Sequence, residues 1–295
     1  MTHQTALAGL QTPPAATLIP PPQAAEYGYN YLSYGSNVTL NSNYYLFNFL
    51  NKTPVTGQAA QQSDGSIILS PNGISDGSGY GANICSAYQA GSTWHGKVFG
   101  GGMYVEMVAN WPATTGPSGL PFPAFWMLSI DFLMQNTLTW PGQASGYIHR
   151  IEVDFVQAPL PALPGYWAGV DVIDWYGSTG QSVSQPSNGL VNFAGASSAS
   201  YNTYGALWVP VSASSPGFVM PFFNGKKQIY AAGSPIIQWN QYSASNAPPP
   251  VAGTTAGSLT DVSQFALIAG TRSTYPMQIK SINVWQKSEA GNTIQ

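Results

Sequence analysis

The stretch Ile151-Glu152-Val153-Asp154-Phe155-Val156-Gln157 decides how this chain is read. In a β-strand, residues two apart share a face. Glu152 and Asp154 then fall on one face, with Val153 and Phe155 directed into a core. Strict alternation would next set Val156 beside the acids. A one-residue bulge after Phe155 instead brings Gln157 onto the face of Glu152 and Asp154. Two acids and an amide in a row are costly to bury without partners. The chain has only four glutamates, Glu26, Glu106, Glu152 and Glu289, so this cluster is a candidate site.

Just upstream, Arg150 shares the face of Glu152 by the same alternation. There it either pairs with Glu152 or Asp154, lowering the carboxyl pKa, or forms an ordinary ion pair at the strand end. Further strands are predicted over 44–50, 66–70, 84–88, 102–111, 124–132, 148–157, 167–176, 206–209, 218–223, 265–269 and 278–286. They are short, rich in aromatic and β-branched residues, and bounded by Gly, Pro, Asn or Ser. No stretch has sustained helical periodicity. The expected fold is all-β: a jelly-roll β-sandwich of two curved antiparallel sheets. Residues 1–25, rich in Ala, Thr, Gln and Pro, read as an extended arm, and 26–295 as the sandwich domain. The Ser/Gly-rich stretches 178–203 and 241–260 read as long loops that wall a cleft or touch neighbours.

Composition narrows the function classes. Only 6% of the 295 residues are charged, and aromatics are plentiful at Trp 9, Tyr 17 and Phe 12. An uncharged polar surface with many rings suits neutral-glycan recognition, where rings stack on sugars and amides and hydroxyls supply hydrogen bonds. It suits a particle-mounted β-protein equally well. The net charge of −3 and the lack of a basic run argue against nucleic acid. No apolar stretch is long enough to span a membrane as a helix. The single cysteine, Cys85, excludes an internal disulfide and reads as a packed small hydrophobe. His3, His95 and His149 have no metal-ligand spacing, and no cofactor is expected. Met1–Leu10 lacks the pattern of a secretory signal peptide. Cytoplasmic synthesis, with assembly on a virion or cell surface, is the matching expectation.

The ordered motifs resemble glycoside hydrolase family 16, within the concanavalin A-like lectin and glucanase superfamily. That family carries a catalytic strand Glu-x-Asp-x-(x)-Glu, which Glu152, Asp154 and Gln157 match in its bulged form. Gly101–Met107 is similar to the family's Tyr-Gly-x-Phe-Glu-x-Arg strand, and Pro123–Leu128 to its Pro-Ala-Phe/Leu-Trp-Met-Leu segment. Trp140-Pro141 resembles the Trp-Pro ahead of the catalytic strand. Tyr201–Trp208 resembles Phe-His-Thr-Tyr-x-x-Glu-Trp, Asn224-Gly225-Lys226 an Asp-Gly-Lys turn, and Ile279–Gln286 the closing strand. The set covers about residues 65–287, in order.

The resemblance implies roles. Glu152 stands in the nucleophile position, Asp154 assists it, and Gln157 replaces the acid/base glutamate. Trp126, Trp140, Trp167 and Trp175 are candidates to line the cleft, with core burial as the alternative. A structural Ca²⁺ is common in the family, but no ligand set is assigned here. Retaining hydrolysis needs two carboxyl groups about 5–5.5 Å apart. Gln157 can hydrogen-bond a glycosidic oxygen but cannot release a proton. General acid/base catalysis is worth roughly 10²–10⁴-fold. Asp174, on the following strand where members often carry His, is a candidate substitute acid, and Asn202 also stands where many members have His. Three readings follow. One is binding of polysaccharide or oligosaccharide with hydrolysis lost or weak. Another is an active retaining endo-β-glycanase. The third is a structural or decoration protein of a virion, held to neighbouring subunits by its N-terminal arm.

Overall fold

The computed structural model describes residues 19–35, 38–47, 58–70, 82–112, 122–133, 148–157, 165–175, 189–192, 195–210, 218–228, 237–238, 264–271 and 275–288. In chain order the elements are α1 (Pro22–Glu26), β1 (Tyr31–Tyr34), β2 (Tyr45–Leu46), β3 (Ala59–Gln61), β4 (Ile67–Leu69), β5 (Ala82–Cys85), β6 (Ala87–Ala90), β7 (Thr93–Gly96), β8 (Phe99–Gly100), β9 (Met103–Asn110) and β10 (Pro123–Ser129). There follow α2 (Ile130–Leu133), β11 (Ile148–Gln157), β12 (Gly165–Trp175), β13 (Gly189–Asn192), β14 (Asn202–Val209), β15 (Phe218–Phe223), β16 (Lys226–Lys227), β17 (Ile237–Gln238), β18 (Gln264–Thr271) and β19 (Met277–Gln286).

Two antiparallel sheets face each other. The nine-stranded first sheet runs β16-β15-β14-β9-β19-β4-β3, with β1 added to β19 and β17 to β15. The eight-stranded second sheet runs β13-β12-β11-β10-β18-β5-β2, with β8 added to β18. Alternation fills the space between them. Met103, Val105 and Met107 from the first sheet meet Phe125, Met127, Val153, Phe155, Leu267 and Ala269 from the second. Trp208 packs edge-on to Phe265 across the gap, with ring centroids 5.0 Å apart. In β19 a register shift between Ile279 and Ser281 moves the inward positions from Met277 and Ile279 to Ile282 and Val284. The expected jelly-roll sandwich is therefore the observed fold.

Both outer faces carry further apolar clusters. On the first sheet, Tyr104, Leu207, Met220, Phe222 and Trp285 are covered by Ala24 and Tyr29 of the N-terminal segment. Residues 1–18 of the expected arm lie outside the described residues, and Pro22–Glu26 forms one helical turn rather than extended chain. Beneath that cover the Tyr104 hydroxyl donates to Glu106 Oε1 at 2.7 Å. Gly205 leaves room for the pair, since a Cβ there would stand 2.9 Å from the Tyr104 oxygen. Burial pushes the Glu106 carboxyl above its ordinary value, while the Tyr104 hydrogen bond opposes the shift.

Several predicted boundaries move: the strand expected over 84–88 divides at Ser86 into β5 of the second sheet and β6 of a separate two-stranded sheet, and β13 lies within the stretch 178–203 read as a loop. The strand expected over 124–132 ends at Ser129, because Ile130–Leu133 turns as α2 and buries Ile130 and Leu133. The strand expected from residue 206 begins at Asn202, inside the stretch read as a loop. Asn202 donates to the carbonyls of Ser197 and Ser200, both at 2.9 Å, and accepts from Asn224 Nδ2 at 3.0 Å. It lies at the end of a first-sheet strand, where it ties two turns together. Residues 241–260 lie outside the described residues.

Candidate functional site

The second sheet positions Glu152, Asp154 and Gln157. On β10, Leu128 stands opposite Glu152, Trp126 opposite Asp154, and Ala124 opposite Gln157, with a register shift between Phe125 and Trp126. Two residues of β10 thus span three of β11. Phe155 and Val156 are both buried in the central core, and the Phe155 ring packs edge-on to Phe125 at 5.2 Å. This bulge is what returns Gln157 to the face of Glu152 and Asp154. Without it, Val156 would take that face and Gln157 would enter the core. Glu152 and Gln157 are half-buried, and Asp154 is only 5% exposed.

The neighbouring strand completes three rungs. On β12, Asp171 lies opposite Glu152, Gly169 opposite Asp154, and Trp167 opposite Gln157. Opposed residues in an antiparallel ladder have Cα atoms about 4.5–5.5 Å apart. Arg150 pairs with Ile173, His149 with Asp174, and Ile148 with Trp175. Asp174 is three residues from Asp171, so it occupies a rung of the opposite parity to Glu152. Asp171 was not singled out from the sequence. Its one signal there is that four of the eleven acidic residues, Glu152, Asp154, Asp171 and Asp174, fall within one stretch. Trp140 lies outside the described residues.

On the other side, the same face is filled. Trp126 is 6% exposed and Leu128 fully buried. With Ala266 and Ile268 of β18 and Cys85 of β5 they form a cluster roofed by Phe47, Trp94, Val98, Ile130 and Leu133. Trp126 is therefore both opposite Asp154 and packed in a core of its own. Trp94 comes from the β6–β7 hairpin, whose two strands pair Ala90 with Thr93 around Gly91-Ser92. Gly91, at φ 63, supplies the left-handed turn such a loop needs. The hairpin is pinned at its base. Ser86 Oγ donates to the Lys97 carbonyl at 2.7 Å and accepts from the Leu267 N–H at 3.0 Å, and the Lys97 N–H donates to the Ser86 carbonyl at 2.8 Å. Cys85 is fully buried, and burial pushes its thiol up to about 12. That suits a packing residue and not a nucleophile.

Above Gln157 and Ala124 the rung is closed one strand further on. Gly270 lies directly beneath the Asn83 carboxamide, which occupies the space a Cβ would need. Among the described residues, no three His, Cys, Asp or Glu side chains come together to hold a metal ion. No described helix is long and apolar enough to cross a membrane.

No family model and no curated protein matches the sequence. Solved structures do. An endo-1,3-beta-glucanase from Streptomyces sioyaensis is similar with a TM-score of 0.51 and 16% identity, over 84% of this chain and 90% of that one. The laminarinase catalytic domain of Thermotoga maritima gives 0.52 and 13%, over 87% and 98%. A Zobellia galactanivorans LamA variant, in complex with laminaritriose and laminaritetraose, gives 0.51 and 12%, over 87% and 99%. At these identities the likeness speaks for the backbone: the chain has the jelly-roll fold seen in glucanases of this kind.

Proposed function

We propose that this chain is a glycan-binding protein on a glucanase-type jelly roll, with its sugar site around Glu152, Asp154 and Gln157 and with hydrolysis lost or strongly weakened. The observation that carries the reading is the β11 bulge, which sets an amide in line with two acids on one sheet face. Such a row places carboxylate acceptors beside an amide that both donates and accepts, the set of groups that hydrogen-bonds sugar hydroxyls. Gln157 keeps the size and hydrogen-bonding reach of a glutamate but lacks its proton. A bound glycoside is then oriented without being given a leaving-group proton. Trp167, on the rung of Gln157, and Arg150 and Trp175, on the next two rungs of the same parity beyond Glu152, are the further residues proposed to contact sugar.

The test joins binding and rescue. Calorimetry with β-glucans and galactans is expected to give saturable binding that Glu152→Gln weakens. Gln157→Glu is expected to restore measurable polysaccharide cleavage. Absence of binding to every glycan tried would remove the proposal.

The rung shared by Asp171 and Glu152 favours one second reading, a slow retaining glycanase with Asp171 as the second carboxyl residue. Sugar release by the unaltered chain, abolished by Asp171→Asn and not by Asp174→Asn, would select it.

A further inference from the structure

We infer that the site takes the end of a glycan chain and does not let a chain pass through. The inference rests on the glycan-binding reading above and concerns how the ligand lies. A linear glycan crossing this sheet perpendicular to its strands would run from β12 over β11 and β10 to β18 and β5. The described residues fill that second half from β10 onward on two rungs and from β18 onward on the third. Next to Glu152, Leu128 and Ala266 are fully buried. Next to Asp154, Trp126, Ile268 and Cys85 lie under the Trp94 roof. Next to Gln157, Gly270 is covered by Asn83.

The blockage is tall as well as continuous. The β6–β7 hairpin lies on the sheet through Trp94, and packed sheets stand about 10 Å apart. A pyranose ring cannot cross a packed layer of that height. The wall starts one strand from Glu152 and Asp154, about 4.8 Å away. Only at Ala124, which is half-buried beside Gln157, does it step back by a strand. That corner, floored by a methyl group, is where the last sugar of the chain fits.

The test uses the intact chain with β-1,3-linked gluco-oligosaccharides of two to seven units, the matching polysaccharide, and the same series of galactans. Calorimetry is expected to give one protein bound per glycan chain at every length, with affinity levelling off at short length. Blocking one chain end chemically is expected to abolish binding, and blocking the other to leave it intact. Ala124→Phe, which fills the corner, is expected to weaken binding at least tenfold with the melting temperature little changed. Several proteins bound along one long chain, or binding that survives when both ends are blocked, would overturn the inference while leaving glycan binding in place. Failure to bind any member of either series would overturn the glycan-binding reading, and this inference with it.

Discussion

Asp154 and Trp126 face each other across the β10–β11 ladder, and both are almost fully buried, at 5% and 6% exposure. The acid belongs to the polar row and the indole to the apolar wall, so the boundary of the candidate site runs between these two side chains. Trp126→Ala would open a cavity where the wall meets the row. The expected cost is about 3–5 kcal/mol, read by urea denaturation, with glycan affinity falling as Asp154 loses its backing.

Gly270→Ala tests the filled rung beside Gln157. The added methyl would overlap the Asn83 carboxamide and lie 2.8 Å from the Ala82 carbonyl oxygen. The side chain can swing away, but the backbone oxygen cannot. Overpacking of this kind costs about 1–3 kcal/mol, expected as a lower denaturation midpoint with an unchanged slope.

Gly96→Ala tests the anchoring of the hairpin. Gly96 has φ 110, and a Cβ would meet the Ser86 carbonyl oxygen and the Ala87 Cα at 2.8 Å. Strain of about 1–3 kcal/mol is expected from the backbone conformation alone. Trp94 fluorescence should shift to the red as the hairpin lifts. An unshifted spectrum would mean that the roof does not depend on that contact.

Glu106 gives a pH dependence with a definite sign. Its folded value lies above the ordinary 4.5 because burial penalises the charged form. The folded chain therefore holds this proton more tightly than the unfolded chain, and the contribution of Glu106 to stability falls as pH rises from 4.5 through the folded value. Glu106→Gln stays neutral and can still accept from Tyr104. It should flatten that part of the stability profile and raise stability at neutral pH relative to the natural chain. Tyr104→Phe removes a hydrogen bond that lowers the Glu106 value and should extend the window upward.

Much of this was legible from local pattern. The bulge was readable because Glu-x-Asp-x-x-Gln breaks a period of two in a way only an extra residue repairs. By contrast, Ala124–Leu128 and Phe265–Ala269 are nearly continuous apolar runs. Such runs do not reveal whether one face or both are covered, so the second cluster and the α2 turn were not foreseen. Asp171 was missed for a different reason. Its place beside Glu152 is set by the register of β11 against β12, and no local spacing encodes register. The sequence allows Trp126 either a cleft or a core place, and it stands where the candidate site meets the second apolar cluster.

The roof over β18 and β5 adds a third layer outside the second sheet, as the N-terminal segment does outside the first. Backbone amides in Trp126–Leu128 and Ala266–Ile268 are shielded on both sides, so they should exchange with solvent only on global unfolding. A rigid abutment of this kind fixes one side of the polar row. Any adjustment to a bound ligand is then left to the strands beyond β11, which makes accommodation one-sided in motion as well as in space.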